Sequence, residues 1–150
     1  MPIQGPDKFV TPRLVLRRPR LEDAPAIFEA YARDPDVTRY LTFQPNKSAG
    51  DSQAWLQICL QHWETGEEFV WLIVLPADDR PIGSISCRVK DWKAEMGYAL
   101  AKCFWNQGLM TEAVRAVADW ALSCEGVFRI SAYCDTANPA SARVMEKAGL

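Results

Sequence analysis

The chain holds one histidine, His62, in 150 residues. A lone imidazole cannot build a histidine-rich metal centre, and it leaves a single candidate partner for a serine or cysteine nucleophile. Because His62 lies in a run with helical spacing, a solvated or packed ring without chemistry is the expected role. The five cysteines (Cys59, Cys87, Cys103, Cys124 and Cys134) are odd in number, widely spaced and without a CxxC pair. Neither a disulfide framework nor a zinc site is indicated, and most read as small buried apolar residues. No apolar run approaches the roughly 20 residues that span a bilayer, and the opening MPIQGPDKFV lacks the basic and apolar regions of a secretion signal. The expected compartment is the cytoplasm, with no membrane partner. Cationic excess is also missing: 17 Lys plus Arg face 19 Asp plus Glu, a formal charge of −2. That balance removes the electrostatic case for nucleic acid. Neither GxGxxG nor GxxxxGK[ST] occurs, which argues against a Rossmann dinucleotide site and a P-loop NTPase.

What is present is ordinary globular material, 49% hydrophobic and 24% charged, at a length that suits one domain able to bury a core unaided. Arg13–Arg18 alternates as a first strand ended by Pro19. Leu21, Ala24, Ile27, Phe28 and Tyr31 give Leu21–Ala32 a helical stripe. A second helix is expected where Trp55, Ile58, Cys59 and Trp63 recur, capped by Asp51 or Ser52 and closed by Gly66 at C′. The period then changes. Phe69–Leu75 fits a buried strand, Ile82–Lys90 alternates after a turn, and Ala94–Leu100 follows a second turn, so a three-strand antiparallel meander is expected. Thr111–Cys124 returns to a helical stripe, Val127–Cys134 reads as a short strand, and Asn138–Ala148 as a last helix. The expected order is β-α-α-β-β-β-α-β-α, an α/β (α+β) fold whose mixed, mostly antiparallel sheet is flanked by helices.

The stretch Gly97–Ala113 is the most informative, because a strand ends there, a loop containing Gly108 follows, and a helix begins near Met110 or Thr111. The first backbone N–H groups of a helix lack internal partners and carry the positive end of its dipole, so an anion can be held there without lysine. Gly108 would let backbone approach a ligand, and Thr111 could add a hydroxyl donor.

The order GYAL-x4-W-x2-GLMTEAV, followed by N-x2-S-x-R-V-x-E-K-x-G, resembles the RimJ/RimL-like branch of the GNAT N-acetyltransferases. TPRLVLRRPRLEDA and DPDVTRYL resemble that branch's N-terminal strand and first helices. The resemblance implies the GNAT fold, acetyl-CoA as acyl donor, an amine as acceptor and no metal. It implies that the fourth strand and the strand after the third helix splay apart around the pantetheine, with Tyr98, Ala99 and Leu100 against it and an N–H near Leu100 aimed at the thioester oxygen. The family's pyrophosphate loop falls on Trp105–Met110, where only Gly108 matches strictly. The coenzyme-binding set implied there is Asn106, Gln107, Gly108, Leu109, Met110 and Thr111. Asn138 falls on an asparagine that contacts pantetheine, although it also suits an N-cap before Pro139. The tyrosine that commonly protonates the leaving thiolate is Met145 here, and Ser141 is the expected substitute, with a capping role as its alternative.

Glu95, on one strand face with Gly97 and Ala99, is the expected general base through a water, with Glu112 and Asp135 as alternatives. Cys103 has no histidine partner for a covalent scheme, and the family transfers directly in a ternary complex. Arg13, Arg17, Arg18 and Arg20 are expected on a solvated strand face, the alternative being an acidic substrate or the coenzyme's 3′-phosphate. Family members continue past Gly149-Leu150 with two further strands. This sequence is therefore either a shortened form or one that lacks those strands, and in the second case a dimer or a swapped arrangement that covers the sheet edge is expected. The expected activity is N-acetylation of a protein N-terminus or small amine; the alternative is a non-catalytic acyl-CoA-binding or interaction domain.

Overall fold

A computed structural model of the chain describes residues 5–32, 49–77, 79–90, 93–101, 104, 107–124 and 129–132. Six strands form one sheet in chain order: β1 (Lys8–Val10), β2 (Val15–Arg17), β3 (Phe69–Val74), β4 (Pro81–Lys90), β5 (Lys93–Leu100) and β6 (Arg129–Ala132). The first five run antiparallel, and β6 joins β5 in parallel. A parallel neighbour requires a crossover, supplied by the helix Leu109–Ser123, here α3. The meander β3–β4–β5 matches expectation to within a residue or two. The N-terminal strand does not stand alone: β1 precedes it, and the Thr11–Leu14 turn joins the two, with the Thr11 N–H donating to the Leu14 carbonyl at 2.9 Å.

Leu21–Ala32 is helical throughout, but its pitch changes. A 3-10 turn (Leu21–Asp23) leads into one α-turn (Ala24–Ile27, α1) and then a π-turn (Phe28–Ala32). The carboxylate of Asp23 accepts from the Arg20 N–H at 2.8 Å and caps the start. The long helix α2 is described over Ala49–Thr65, so Asp51 and Ser52 lie inside it and do not cap it. Gly66 closes it as expected, at φ 77° with its N–H on the His62 carbonyl at 2.9 Å. Of the expected strand Val127–Cys134 the described part is β6, and the expected helix Asn138–Ala148 lies outside the described residues.

Phe69–Val74 is buried at every position, as an unbroken apolar strand covered on both faces must be. One face, carrying Phe69, Trp71, Ile73, Ile85, Cys87, Ala94 and Met96, packs against Leu109, Met110, Ala113, Val114, Val117 and Ala121 of α3. The opposite face meets Ala24, Ile27 and Leu56 through Leu72, with Ala101. Phe9, Trp63, Phe69, Trp71 and Trp120 form an edge-to-face cluster with centroid separations of 4.9 to 6.4 Å. The buried indole N–H of Trp63 donates to the Val70 carbonyl at 2.8 Å, and that of Trp71 to Pro6 at 2.8 Å. Cys59 and Cys87 are buried, as expected of small apolar residues. Among the described residues no helix is long and apolar enough to cross a membrane.

Of the four arginines expected on a solvated face, Arg13, Arg18 and Arg20 are exposed, and the expectation is corrected at Arg17. Arg17 is buried and forks onto Asp23 at 2.8 and 2.9 Å while its Nε donates to Asp79 at 2.9 Å. Arg20 adds a second contact to Asp79 at 3.1 Å, and Arg18 lies 4.4 Å over the Trp63 ring. Arg17 and Arg20 hold β2, the first helical turn and the β3–β4 turn together, and Arg13 is engaged at the site described next.

Candidate active site

The end of β5 and the start of α3 meet in one place, since Leu100, Leu109 and Met110 share a buried cluster. The β4–β5 ladder orients the backbone there. Ala101 N–H donates to the Ile82 carbonyl at 2.8 Å, and Leu100 stands opposite Gly83. Because antiparallel pairs alternate, Ala99 and Ala101 direct their polar groups to β4, whereas those of Tyr98 and Leu100 turn to the β6 side. Among the described residues the β5–β6 ladder runs only from Lys93↔Arg129 to Met96↔Ala132. Tyr98 and Leu100 therefore lie beyond the last described pair.

Gly83 makes this approach possible. A Cβ at position 83 would fall 2.4 Å from the Ala99 carbonyl oxygen and 3.1 Å from Leu100 Cα, so only glycine admits β5 so close. Side chains divide by parity: Tyr98 and Leu100 face the α3 side, while Ala99 packs toward α1 and α2. Any contact these three make with a ligand in the β5–β6 gap is therefore chiefly a backbone contact.

Gly108 stands immediately before α3 at φ 77°, ψ 5°, the left-handed region that costs other residues about 1–2 kcal/mol. The first α-helical bond runs from Glu112 N–H to the Gly108 carbonyl at 3.1 Å, leaving the Leu109, Met110 and Thr111 N–H groups ahead of it in the first turn. Leu109, Met110 and Thr111 have buried side chains. This stretch offers main-chain donors and the helix dipole. Gln107 and Gly108 are exposed.

Glu112, an alternative base, is engaged by the N-terminal turn. Its carboxylate accepts from the Thr11 hydroxyl, from Arg13 N–H at 2.9 Å and from Arg13 Nε at 2.9 Å. Burial pushes this carboxyl up, but the hydrogen bonds from Thr11 and Arg13 and the adjacent guanidinium outweigh that and hold it below the usual glutamate value. A group so held is a weaker proton acceptor than a free carboxylate. Arg13 also donates through Nη1 to the Gln107 carbonyl at 2.9 Å. The Thr-x-Arg of the N-terminal turn and the Glu of GLMTEA are thus one cluster, a function missed when Arg13 is read as a strand-face charge. Glu95 shares a face with Gly97 and Ala99 as expected, opposite Arg88 and exposed, with Lys93 Nζ at 3.6 Å. Asn106, Asn138 and Ser141, with Cys103, Asp135 and Met145, lie outside the described residues.

Among the described residues the meander turns parallel at β6, and the crossover helix opens on Gly108 with main-chain N–H groups in its first turn. The chain belongs to the acetyltransferase (GNAT) domain family, whose model matches residues 13–150, and is an acetyl-CoA-dependent acyltransferase. The Bacillus subtilis (strain 168) protein named "Uncharacterized N-acetyltransferase YoaA" is 30% identical over 142 residues, 93% of this chain and 80% of its own length. The fold matches microcin C7 self immunity acetyltransferase MccE, solved with acetyl-CoA and AMP, at a TM-score of 0.85 and 16% identity over 97% of this chain and 83% of that one. It also matches RimL, a ribosomal L7/L12 alpha-N-protein acetyltransferase solved with coenzyme A, at a TM-score of 0.83 and 20% identity over 94% and 81% of the two chains.

Proposed function

We propose that this protein moves an acetyl group from acetyl-CoA to a primary amine, on a protein N-terminus or a small molecule, by direct attack in a ternary complex. The observation that carries the reading is the backbone of Tyr98 and Leu100 turned to the β6 side and leading to the left-handed Gly108 and the first turn of α3. These features fit the donor: a strand edge suits the amide-bearing pantetheine, and a glycine-opened helix start suits a diphosphate. Acetyl-CoA, when bound, supplies an activated thioester whose carbonyl oxygen gains charge as nitrogen attacks. A main-chain N–H near Leu100 stabilises that charge, and the Gly108–Thr111 backbone, with Asn106 and Gln107, fixes the phosphates.

Asn138 orients the pantetheine amides. The C–N bond forms as the C–S bond breaks, and the ammonium must first lose a proton. Glu95, on the exposed β5 face, takes that proton through a water, and Ser141 returns one to the thiolate. Holding amine and thioester together supplies much of the rate. Two assays test this. Acetyl-CoA at 100 times its Kd stabilises a folded-state binder by about 2.7 kcal/mol, a melting shift of about 5–10 °C for this size. An amine panel is then scored by release of free thiol. A shift with turnover supports transfer, a shift without turnover on any amine leaves a coenzyme-binding domain, and no shift at millimolar acetyl-CoA defeats the reading.

A further inference from the structure

Resting on the coenzyme reading above, we infer that Arg13 is a positioning residue for the diphosphate half of acetyl-CoA, acting through the backbone of the Gln107–Leu109 turn. Its guanidinium works as a fork. Nη1 holds the Gln107 carbonyl at 2.9 Å, Nε holds Glu112 Oε1 at 2.9 Å, and its main-chain N–H holds Glu112 Oε2 at 2.9 Å. Nη2 lies 3.4 Å from the point where a side chain on Gly108 would begin. One side chain thus ties the residue before the left-handed glycine to the residue that makes the first α-helical bond, and brackets the stretch whose N–H groups face an anion. Thr11 completes the clamp by donating its hydroxyl to Glu112 Oε2 and bonding across its own turn to Leu14.

Charge alone would not do this. A lysine at position 13 keeps the cation but has a single nitrogen on a flexible stem, and it cannot hold the Gln107 carbonyl and Glu112 at once in a planar fork. The clamp lies at the phosphate end of the donor, so a donor without the nucleotide diphosphate gains nothing from it. Unlike a residue needed only for folding, Arg13 discriminates between two donors.

The test measures dissociation constants of acetyl-CoA and acetylpantetheine for the unmodified protein, Arg13→Ala, Arg13→Lys and Glu112→Gln, with ligand-free melting recorded for each. Arg13→Ala and Arg13→Lys are both expected to weaken acetyl-CoA by about tenfold, the size of a lost charge-assisted contact. Acetylpantetheine affinity stays within about twofold in both. Glu112→Gln shifts acetyl-CoA in the same direction by a smaller factor. If Arg13→Lys binds acetyl-CoA like the unmodified protein, or if both donors weaken together, the positioning role is overturned while the coenzyme reading stands. If the unmodified protein binds no acetyl-CoA, both fall.

Discussion

Gly83→Ala and Gly97→Ala make the same chemical change in one ladder and are expected to behave oppositely. At position 83 the new Cβ meets the Ala99 carbonyl oxygen at 2.4 Å and Leu100 Cα at 3.1 Å, both backbone. A carbon–oxygen contact settles at about 3.3–3.6 Å, so β5 must retreat by about 1 Å. Overpacking of this kind costs about 1–3 kcal/mol, a melting point lower by about 2–12 °C in a domain of this length. The retreat is local to the strand end that faces the coenzyme, so acetyl-CoA affinity falls with it. At position 97 the Cβ meets, among the described residues, only Ser86 Oγ at 3.3 Å, a rotatable hydroxyl, and removing glycine's backbone freedom is worth roughly 0.5–1 kcal/mol in favour of the strand. Gly97→Ala is therefore expected to melt at or above the unmodified protein. Differential scanning calorimetry with and without acetyl-CoA reads both effects. Equal melting points for the two variants would refute the close-approach argument.

Arg17→Met leaves the buried Asp23 without its guanidinium, a loss of about 3–5 kcal/mol; chemical denaturation should show it, and Arg17→Met with Asp23→Leu should recover only part of it, because the carboxylate that caps the Arg20 N–H is lost as well. A midpoint for Arg17→Met within experimental scatter of the unmodified protein would show that the network contributes nothing. Cys59 and Cys87, whose thiols burial pushes up to about 12, should resist iodoacetamide at pH 8, where only about one in ten thousand of each is thiolate. Peptide mapping should find both modified only in denaturant, and labelling of either in the native protein would contradict their burial.

Local pattern made β3, β4, β5 and α3 legible, because each buries a face whose period is written in consecutive residues. It failed at β1, where Lys8–Val10 offers one inward position, Phe9, too few to show alternation. It also placed a cap at Asp51 or Ser52, since capping residues are tolerated inside a helix held by packing. Arg17 was misread because its partners Asp23 and Asp79 lie 6 and 62 residues away; a cation in an alternating strand reads as solvated until those partners are known. The site divides in the same way. Gly108 was visible as a glycine before a helical stripe, while the Arg13–Glu112 clamp spans 99 residues and has no local signature.

The aromatic cluster gives the protein an optical signal of its own assembly. Trp63, Trp71 and Trp120 touch one another's neighbours from α2, β3 and α3, with Phe9 added from β1. Rings held this close, edge to face, couple in the near-ultraviolet, so the dichroism there follows the docking of α2, β3, α3 and β1, segments far apart in the chain, as one event.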